Sequence, residues 1–284
     1  MADFPSNTVA APGVLLVAHG SPNPEWNRPV LDFGKRVEEA ILIKGGFKTV
    51  RTALLEAAEP SIPTAVAELE AAGCDRIIAV PLFILPSGHT DSDVPAALGI
   101  DASPDTSQTR ATEDARPAHS RAPITLLPTL SEGDLLQQYV ADQIRKLSQS
   151  PQEEAVVILA HGDPEHPLLI DGMLRRIASY GCGQTGVDYA DWACVGMGQE
   201  YATRGLPAIQ AASDQKKRVL VIGLYLSTAA AKIHARSMKA TQGNAPAIDP
   251  TRANDVVFSE DPLITYPPLL PWVVSAVQDA VKLP

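Results

Sequence analysis

The sequence predicts an α/β protein of two similar lobes, each a four-stranded parallel sheet flanked by helices. Short β-branched runs alternate with segments of helical period, a pattern typical of parallel sheets covered by helices. The same order of elements also occurs twice. The histidines of AHGS and AHGD are 142 residues apart (161 − 19), and Leu82 and Leu224 at two further strand ends have the same spacing (224 − 82). A constant offset favours duplication of one unit, although apolar runs before glycine also recur by chance.

The first lobe contains four predicted strands. Val14–Ala18 has the continuous apolar character of a fully buried strand. The other three are Val50–Leu55, Arg76–Ile84 and Ile124–Thr129. The helix after the first strand carries apolar side chains three or four residues apart, which places them on one buried face: Trp26, Val30, Phe33, Val37 and Ile41.

The second lobe repeats this order and ends in a helix with Val273, Val277 and Val281 inward. Its predicted strands are Val156–Ala160, Val187–Val195, Arg218–Leu226 and Asp255–Glu260. We therefore expect one lobe over residues 1–150 and the other over 151–284. Residues 101–123 contain little to bury and are expected to form a flexible insertion. A ligand cleft is expected between the lobes.

Composition excludes several classes of function. A net charge of −10 argues against nucleic-acid binding, which requires clustered Lys and Arg to neutralise phosphates. No apolar run approaches the roughly 20 residues that span a bilayer, and the start of the chain lacks a signal-peptide pattern. The three cysteines show no C-x-x-C spacing. We expect a cytoplasmic protein without a membrane anchor.

Two histidines follow strands of the first lobe. His19 comes directly after the first strand and His89 a few residues after the third. Ligands of open parallel sheets bind outside the carboxyl ends of the strands, so the two imidazoles can face one site. Imidazole suits cobalt, nickel, zinc and iron. A histidine in this position can also simply hydrogen-bond a turn, and the pattern alone leaves both readings open.

Three segments together resemble the sirohydrochlorin chelatase family, the class II cobalt and iron chelatases. They are VAHGS, LEAAEPSI and PLFILPSGHTDSDVP, which occur in family order between Val14 and about Pro95. The resemblance implies a chelatase-like fold. It also implies a lyase that inserts a divalent metal into sirohydrochlorin or a related tetrapyrrole, in cobalamin or siroheme biosynthesis. The family's Leu-Gly-x-His stretch is replaced here by Leu130–Asp134, so no ligand is expected there.

The metal ligands implied by the resemblance are His19 and His89. Glu56 is a candidate third ligand or proton acceptor, and a solvated or capping carboxylate is the equal alternative. The metal, as Co²⁺, Fe²⁺ or Ni²⁺, would be a substrate, with no prosthetic group. Arg28, Arg51 and Lys232 are candidate partners for the carboxylates of the tetrapyrrole.

The second lobe departs from this pattern. His161 repeats His19, but the counterpart of His89 is Ala231, and His234 follows three residues later. His161 and His234 are secondary candidates. A duplicated chain can supply its own pairing, so a monomer is expected. The alternative function is a metal-binding or tetrapyrrole-binding carrier of the same fold that does not catalyse. A hydrolase is disfavoured, because Ser21 beside His19 lacks the G-x-S-x-G context.

Overall fold

The computed structural model describes residues 11–56, 58–100, 117–196, 200–240 and 255–282. The chain divides into two compact units. The first unit comprises Met1–Leu82, His89–Pro128 and Leu270–Pro284, and the second comprises Phe83–Gly88 and Thr129–Leu269. None of the helices in the described ranges is long and apolar enough to cross a membrane.

The first unit is built on a parallel sheet of four strands in the order β2-β1-β3-β4. Its strands are β1 (Ala11–Ala18), β2 (Val50–Leu54), β3 (Cys74–Pro81) and β4 (Ile124–Leu126). Val14 to Ala18 of the central strand β1 are fully buried, as their continuous apolar run predicts. The helices of this part are α1 (Pro24–Lys44), α2 (Ile62–Ala71) and α3 (Val94–Ala97). On α1, Val30, Phe33, Val37 and Ile41 are buried, whereas Trp26 is partly exposed.

The second unit repeats the topology with the strand order β6-β5-β7-β8, again all parallel. Its strands are β5 (Glu154–Ala160), β6 (Tyr189–Cys194), β7 (Arg218–Leu224) and β8 (Val256–Phe258). Its helices are α4 (Leu135–Leu147), α5 (Pro167–Thr185), α6 (Leu206–Gln215) and α7 (Ala230–Ala240). The predicted fold class of two similar four-stranded α/β lobes is confirmed, and all eight predicted strands are present.

Helix α4 follows the strands of the first half but packs within the second unit. The Tyr139 hydroxyl donates to the Asp261 carbonyl oxygen at 2.7 Å and also lies 3.1 Å from the Gly223 carbonyl oxygen. The Tyr266 hydroxyl donates to Asp142 at 2.7 Å. The last helix, α8 (Leu269–Lys282), belongs from Leu270 onward to the first unit.

The compact units therefore do not follow a single cut at residue 150. The predicted lobes 1–150 and 151–284 describe the sequence repeat, whereas each unit combines segments from both halves of the chain. Most of the predicted insertion, residues 101–116, lies outside the described residues.

Candidate metal centre

His19 and Glu56 meet at the carboxyl edge of the first sheet. Strands β1 and β2 are parallel neighbours with Ala18 opposite Leu54, and the Leu55 N–H donates to the Ala18 carbonyl at 2.9 Å. The residues that follow these strand ends therefore leave the sheet side by side. The His19 Nε2 atom lies 3.7 Å from Glu56 Oε2. The sequence predicted both residues, and the structure brings them together.

Gly20 makes this close approach possible. A Cβ atom at position 20 would lie only 1.9 Å from the Glu56 carbonyl oxygen and 3.2 Å from the Leu54 Cβ. Any side chain here would collide with backbone, which cannot move aside as a flexible side chain can. The glycine after His19 thus brings the two loops within reach of one ion.

His89 joins the site from the third strand. It begins a short π-helical turn, His89–Asp93, which follows the loop after β3. The His19 and His89 ring centroids are 5.1 Å apart with an interplanar angle of 71°. The His89 Nδ1 atom lies 4.0 Å from Glu56 Oε1. The first unit therefore places both predicted histidines around Glu56.

Asp93 is a site residue that the sequence reasoning did not assign. Its Oδ2 atom lies 2.7 Å from His89 Nδ1. With Glu56 and His89, Asp93 forms a group whose possible ligand atoms all lie within 4.8 Å of one another. The signal in the sequence is the four-residue spacing between His89 and Asp93, which puts both side chains on one face of a helical turn.

The hydrogen bonds of both imidazoles indicate which ring nitrogen is available for a metal. His19 Nδ1 lies 2.7 Å from the Gly20 carbonyl oxygen, and His89 Nδ1 contacts the Asp93 carboxylate. A carbonyl or a carboxylate can only accept, so each Nδ1 is the protonated donor when the ring is neutral. The lone pair of His19 is then on Nε2, the nitrogen that faces Glu56, whereas His89 faces both Glu56 and Asp93 through Nδ1.

The site combines negative charge with access to solvent. Glu56 and Asp93 supply two carboxylates beside the two imidazoles, and opposite charge attracts a divalent cation. The His19 side chain is 52% exposed, whereas Asp93 is 20% exposed. One side of the site is therefore open to a second reactant.

The second unit retains one member of this arrangement. His161 Nδ1 contacts the Gly162 carbonyl at 2.9 Å, as His19 contacts Gly20. In the register of the second sheet Cys194 lies opposite Ala160, so Gly196 takes the position of Glu56. The 142-residue offset puts Ala231 in the place of His89. The counterparts of Glu56 and His89 therefore have no ligand atom in their side chains.

His234 is fixed by a hydrogen bond and by ring stacking. Its Nδ1 atom lies 2.6 Å from the Tyr201 hydroxyl, and its ring stacks on Phe258 with a centroid distance of 4.3 Å. Burial lowers the pKa of His234 and favours its neutral form. Among the described residues, neither metal-compatible group of three contains His161 or His234.

The other group of three consists of Asp163, Glu165 and His166. Backbone donors already occupy both oxygens of Asp163: the Glu165 N–H at 2.7 Å and the Gly88 N–H at 2.9 Å. Burial raises the pKa of Asp163, but these hydrogen bonds outweigh it and lower the pKa below its ordinary value. This carboxylate orders the loop before α5.

Arg51, one of the predicted substrate cations, is engaged elsewhere. It lies near the amino end of β2, where its Nε donates to Glu68 at 2.7 Å and its guanidinium contacts Thr49 and the Val50 carbonyl. Arg51 thus lies near the opposite end of β2 from Glu56, and its guanidinium already has partners there. Arg28 is exposed and paired with Glu25.

Comparison with known proteins finds relatives for the half of the chain that contains His19, Glu56 and His89. Residues 13–147 match the family model CbiX. Within this segment, 88 residues are 36% identical to the sirohydrochlorin cobaltochelatase of Methanopyrus kandleri. This segment is therefore similar to sirohydrochlorin cobaltochelatases. A second relative, the sirohydrochlorin cobaltochelatase of Saccharolobus solfataricus, is 39% identical over 89 residues.

The matches to these chelatases are partial. Each covers 31% of this chain, and they cover 59% and 65% of the two relatives, which is less than two thirds of either. Similarity of fold extends further. The sirohydrochlorin chelatase SirB from Bacillus subtilis subspecies spizizenii, determined in complex with cobalt, aligns with a TM-score of 0.63 at 16% identity. That alignment covers 96% of this chain and 97% of the other, so the two chains share a fold over nearly their whole length.

Proposed function

We propose that the protein inserts a divalent metal ion, cobalt or iron, into sirohydrochlorin or a related tetrapyrrole. The observation that carries this proposal is the convergence of His19, Glu56 and His89 at one sheet edge within the segment that matches the CbiX family model. These three residue types supply the two functions that metallation needs, namely ligands for the ion and acceptors for protons.

The ion would be held by Nε2 of His19, by a ring nitrogen of His89 and by the Glu56 carboxylate. Bonds from imidazole to a divalent metal are about 2.0–2.1 Å long, so two donors on one ion are separated by roughly 3–3.5 Å. The 3.7 Å between His19 Nε2 and Glu56 Oε2 is close to that separation. Three protein ligands leave further positions on the ion for water or for the nitrogens of the tetrapyrrole. The metal is a substrate, and the proposed reaction requires no prosthetic group.

Metallation also releases two protons from the pyrrole nitrogens. As the ion passes to the macrocycle, its bonds to the protein break and the lone pairs of its former ligands become available. A released imidazole can accept one proton and Glu56 the other, so charge and protons balance. The exposure of His19 supports this direction of transfer, because the tetrapyrrole must approach the ion from solvent.

Metallation assays test the proposal. Purified protein is mixed with sirohydrochlorin and Co²⁺, and the change in absorbance is compared with that of a protein-free control. We expect the double variant His19→Ala/His89→Ala to lose at least about a hundredfold in rate, the lower end of the range for removing acid–base groups. His119→Ala is the matched control, since it removes an exposed histidine of the same unit and should retain the rate.

A lack of acceleration by wild-type protein with Co²⁺, Fe²⁺ and Ni²⁺ would refute chelatase activity on this substrate. Tetrapyrrole or metal binding without turnover would then favour the carrier function. Equal losses in the double variant and in His119→Ala would refute the assignment of the site.

A further inference from the structure

The side-chain amide of Asn27 pairs with the backbone of Ser21, two residues after His19. The Ser21 N–H donates to Asn27 Oδ1 at 2.9 Å, and Asn27 Nδ2 donates to the Ser21 carbonyl oxygen at 2.8 Å. Reversing the amide would place donor against donor and acceptor against acceptor, so this pair of bonds fixes its orientation. Asn27 lies near the start of α1 and is only 7% exposed. The helix therefore holds the loop after β1 through one buried side chain.

The bond to the Ser21 N–H acts on the peptide group that also contacts His19. The Ser21 nitrogen and the Gly20 carbonyl belong to the same planar trans peptide unit, whose N–H and C=O point in opposite directions. One end donates to Asn27, and the carbonyl oxygen at the other end lies 2.7 Å from His19 Nδ1. Because the unit is rigid, an acceptor that fixes its N–H also fixes the direction of its carbonyl. The contacts thus form a chain from α1 through one peptide to the imidazole.

The second unit has the same imidazole contact without this amide. The 142-residue offset puts Leu169 in the place of Asn27, and Leu169 is 45% exposed. His161 Nδ1 still lies 2.9 Å from the Gly162 carbonyl oxygen, so the contact can form without an amide. The amide occurs in the half whose histidine also lies beside a carboxylate, at 3.7 Å from Glu56. This difference indicates that the amide holds the ring of a ligand in place.

We propose that Asn27 is a positioning residue for His19. It holds the Gly20–Ser21 peptide, so that the imidazole keeps its proton on Nδ1 and presents Nε2 towards Glu56. The part of this inference that concerns the metal rests on the proposed function, whereas the arrangement of the ring does not. A carbonyl on the distal nitrogen of a metal-binding imidazole fixes its tautomer and orients its ring. Asn27 gives that carbonyl a fixed position without itself touching the ion.

A purely structural role for Asn27 makes different predictions. Loss of either hydrogen bond would then lower stability, and every variant would keep the tautomer of the wild type. In Asn27→Asp the carboxylate still accepts from the Ser21 N–H, but it meets the Ser21 carbonyl with a second acceptor. We therefore expect Asn27→Asp to be at least as unstable as Asn27→Ala and yet to keep the tautomer that Asn27→Ala loses.

The experiment compares wild type, Asn27→Ala, Asn27→Asp and the control Val37→Ala. Val37 is fully buried about 15 Å further along α1, so its truncation destabilises the same helix at a distance from the loop. Long-range ¹H–¹⁵N spectra of the metal-free proteins at about pH 9, where imidazole is neutral, report the tautomer of His19. Co²⁺ titration, followed by the visible spectrum, reports affinity, and thermal unfolding reports stability.

We expect the Nδ1–H form in wild type, Val37→Ala and Asn27→Asp, and a mixture of both tautomers in Asn27→Ala. Affinity for Co²⁺ should fall about tenfold in Asn27→Ala, the lower end of the cost of removing an outer partner of a metal ligand, and should be retained in Val37→Ala. Asn27→Ala with the wild-type tautomer, or with no greater loss of affinity than Val37→Ala, would overturn the proposal. So would the Nε2–H form in wild type, a result that needs no variant to fold.

Turnover separates this inference from the proposed function. The expected tautomers and Co²⁺ affinities in a protein that does not metallate sirohydrochlorin would support the role of Asn27 while refuting the chelatase reaction. Turnover by wild type, together with an unchanged His19 tautomer in Asn27→Ala, would refute the role of Asn27 alone.

Discussion

Among single residues, Gly20 sets the spacing between the loops that contain His19 and Glu56. The space that its missing side chain leaves is occupied by the Glu56 carbonyl, 1.9 Å from where a Cβ would lie. We expect Gly20→Ala to push the His19 and Glu56 loops apart. Overpacking against backbone should lower stability by about 1–3 kcal/mol. Metallation and Co²⁺ affinity, measured on folded protein, should both fall at least about tenfold, since displacement of a ligand by even about 1 Å is costly.

Two matched alanine variants separate the loss of site geometry from the loss of stability. Gly162→Ala changes the equivalent loop of the second unit, where a Cβ would lie 2.5 Å from the Cys194 Cβ, and should lower stability while Co²⁺ affinity is retained. Gly183→Ala adds a Cβ in open space on α5 and should be neutral or slightly stabilising. Unchanged Co²⁺ affinity in Gly20→Ala would contradict the idea that Gly20 sets the spacing between His19 and Glu56.

The residues of the site differ in how far the sequence could predict them. His19 and Glu56 follow buried strands that pair in register, so their proximity follows from strand recognition and parallel topology. Asp93 was missed because its contact with His89 depends on a π-helical turn. The Pro, Gly and Ser residues of that segment are typical of a loop. The sequence did not indicate that Arg51 lies near the amino end of its strand and pairs with Glu68.

At the scale of secondary-structure elements, Glu154 joins the end of α4 to the central strand of the second sheet. Its side chain is 1% exposed and accepts from the Ser148 hydroxyl, the Gln149 and Ser150 N–H groups and Arg218. Burial alone would raise the pKa of Glu154, but these hydrogen bonds together hold the pKa below its ordinary value. The ionised carboxylate therefore stabilises the folded state.

We expect Glu154→Gln to reduce the free energy of unfolding by about 3–5 kcal/mol at pH 7, because Arg218 loses its buried partner. A carboxylate whose pKa is lower in the folded state than in the unfolded state stabilises the fold at pH values above its unfolded pKa. This stabilisation disappears as the pH falls through its folded pKa. The difference between wild type and Glu154→Gln should thus narrow below about pH 4.5. Urea unfolding at several pH values measures it.

The neighbouring variant Glu153→Gln is the control for that experiment. Glu153 forms an exposed ion pair with Lys217, and surface pairs contribute at most about 1 kcal/mol. A difference between wild type and Glu154→Gln that stayed constant down to pH 3 would show that hydrogen bonding of the ionised form is not the source of the stability.

The strands themselves were predictable from the sequence, and the connections were less so. Each predicted strand overlaps an observed one because continuous buried apolar runs leave few alternatives. The 142-residue offset relates the last residues of β1 and β5, Ala18 and Ala160, and holds within one residue for the ends of β3 and β7, Pro81 and Leu224. It fails at β4 and β8, since the segment before β4 differs in length from the one before β8.

At the scale of the whole molecule, the assignment of α4 and α8 to units could not be predicted. The hydrophobic period of a helix indicates which of its faces is buried, but it does not indicate which sheet covers that face. Leu136, Tyr139, Val140 and Ile144 of α4 are fully buried, and α4 belongs to the second unit. Val273 and Val277 of α8 are equally buried, and α8 belongs to the first unit. Each unit therefore takes a core helix from the other half of the sequence.

This exchange predicts the behaviour of the two halves when they are produced as separate chains. A fragment of residues 151–284 would lack the four buried side chains of α4, each of which contributes about 1.5–3 kcal/mol, or roughly 6–12 kcal/mol together. That loss is comparable with the total stability of an ordinary domain, about 5–15 kcal/mol. A fragment of residues 1–150 would likewise lack α8. We expect neither fragment alone to give a cooperative unfolding transition.

Co-production of the two fragments should restore what each lacks, because every buried segment is then present and only one peptide bond is missing. The measurements are circular dichroism melting of each fragment alone and of the co-purified pair, with Co²⁺ affinity as the readout of the site around His19 and His89. Recovery of cooperative melting and of Co²⁺ binding only in the pair would follow from the exchange. Cooperative melting of fragment 1–150 by itself would show instead that its sheet is stable without α8, and that the halves at residue 150 are independent folding units.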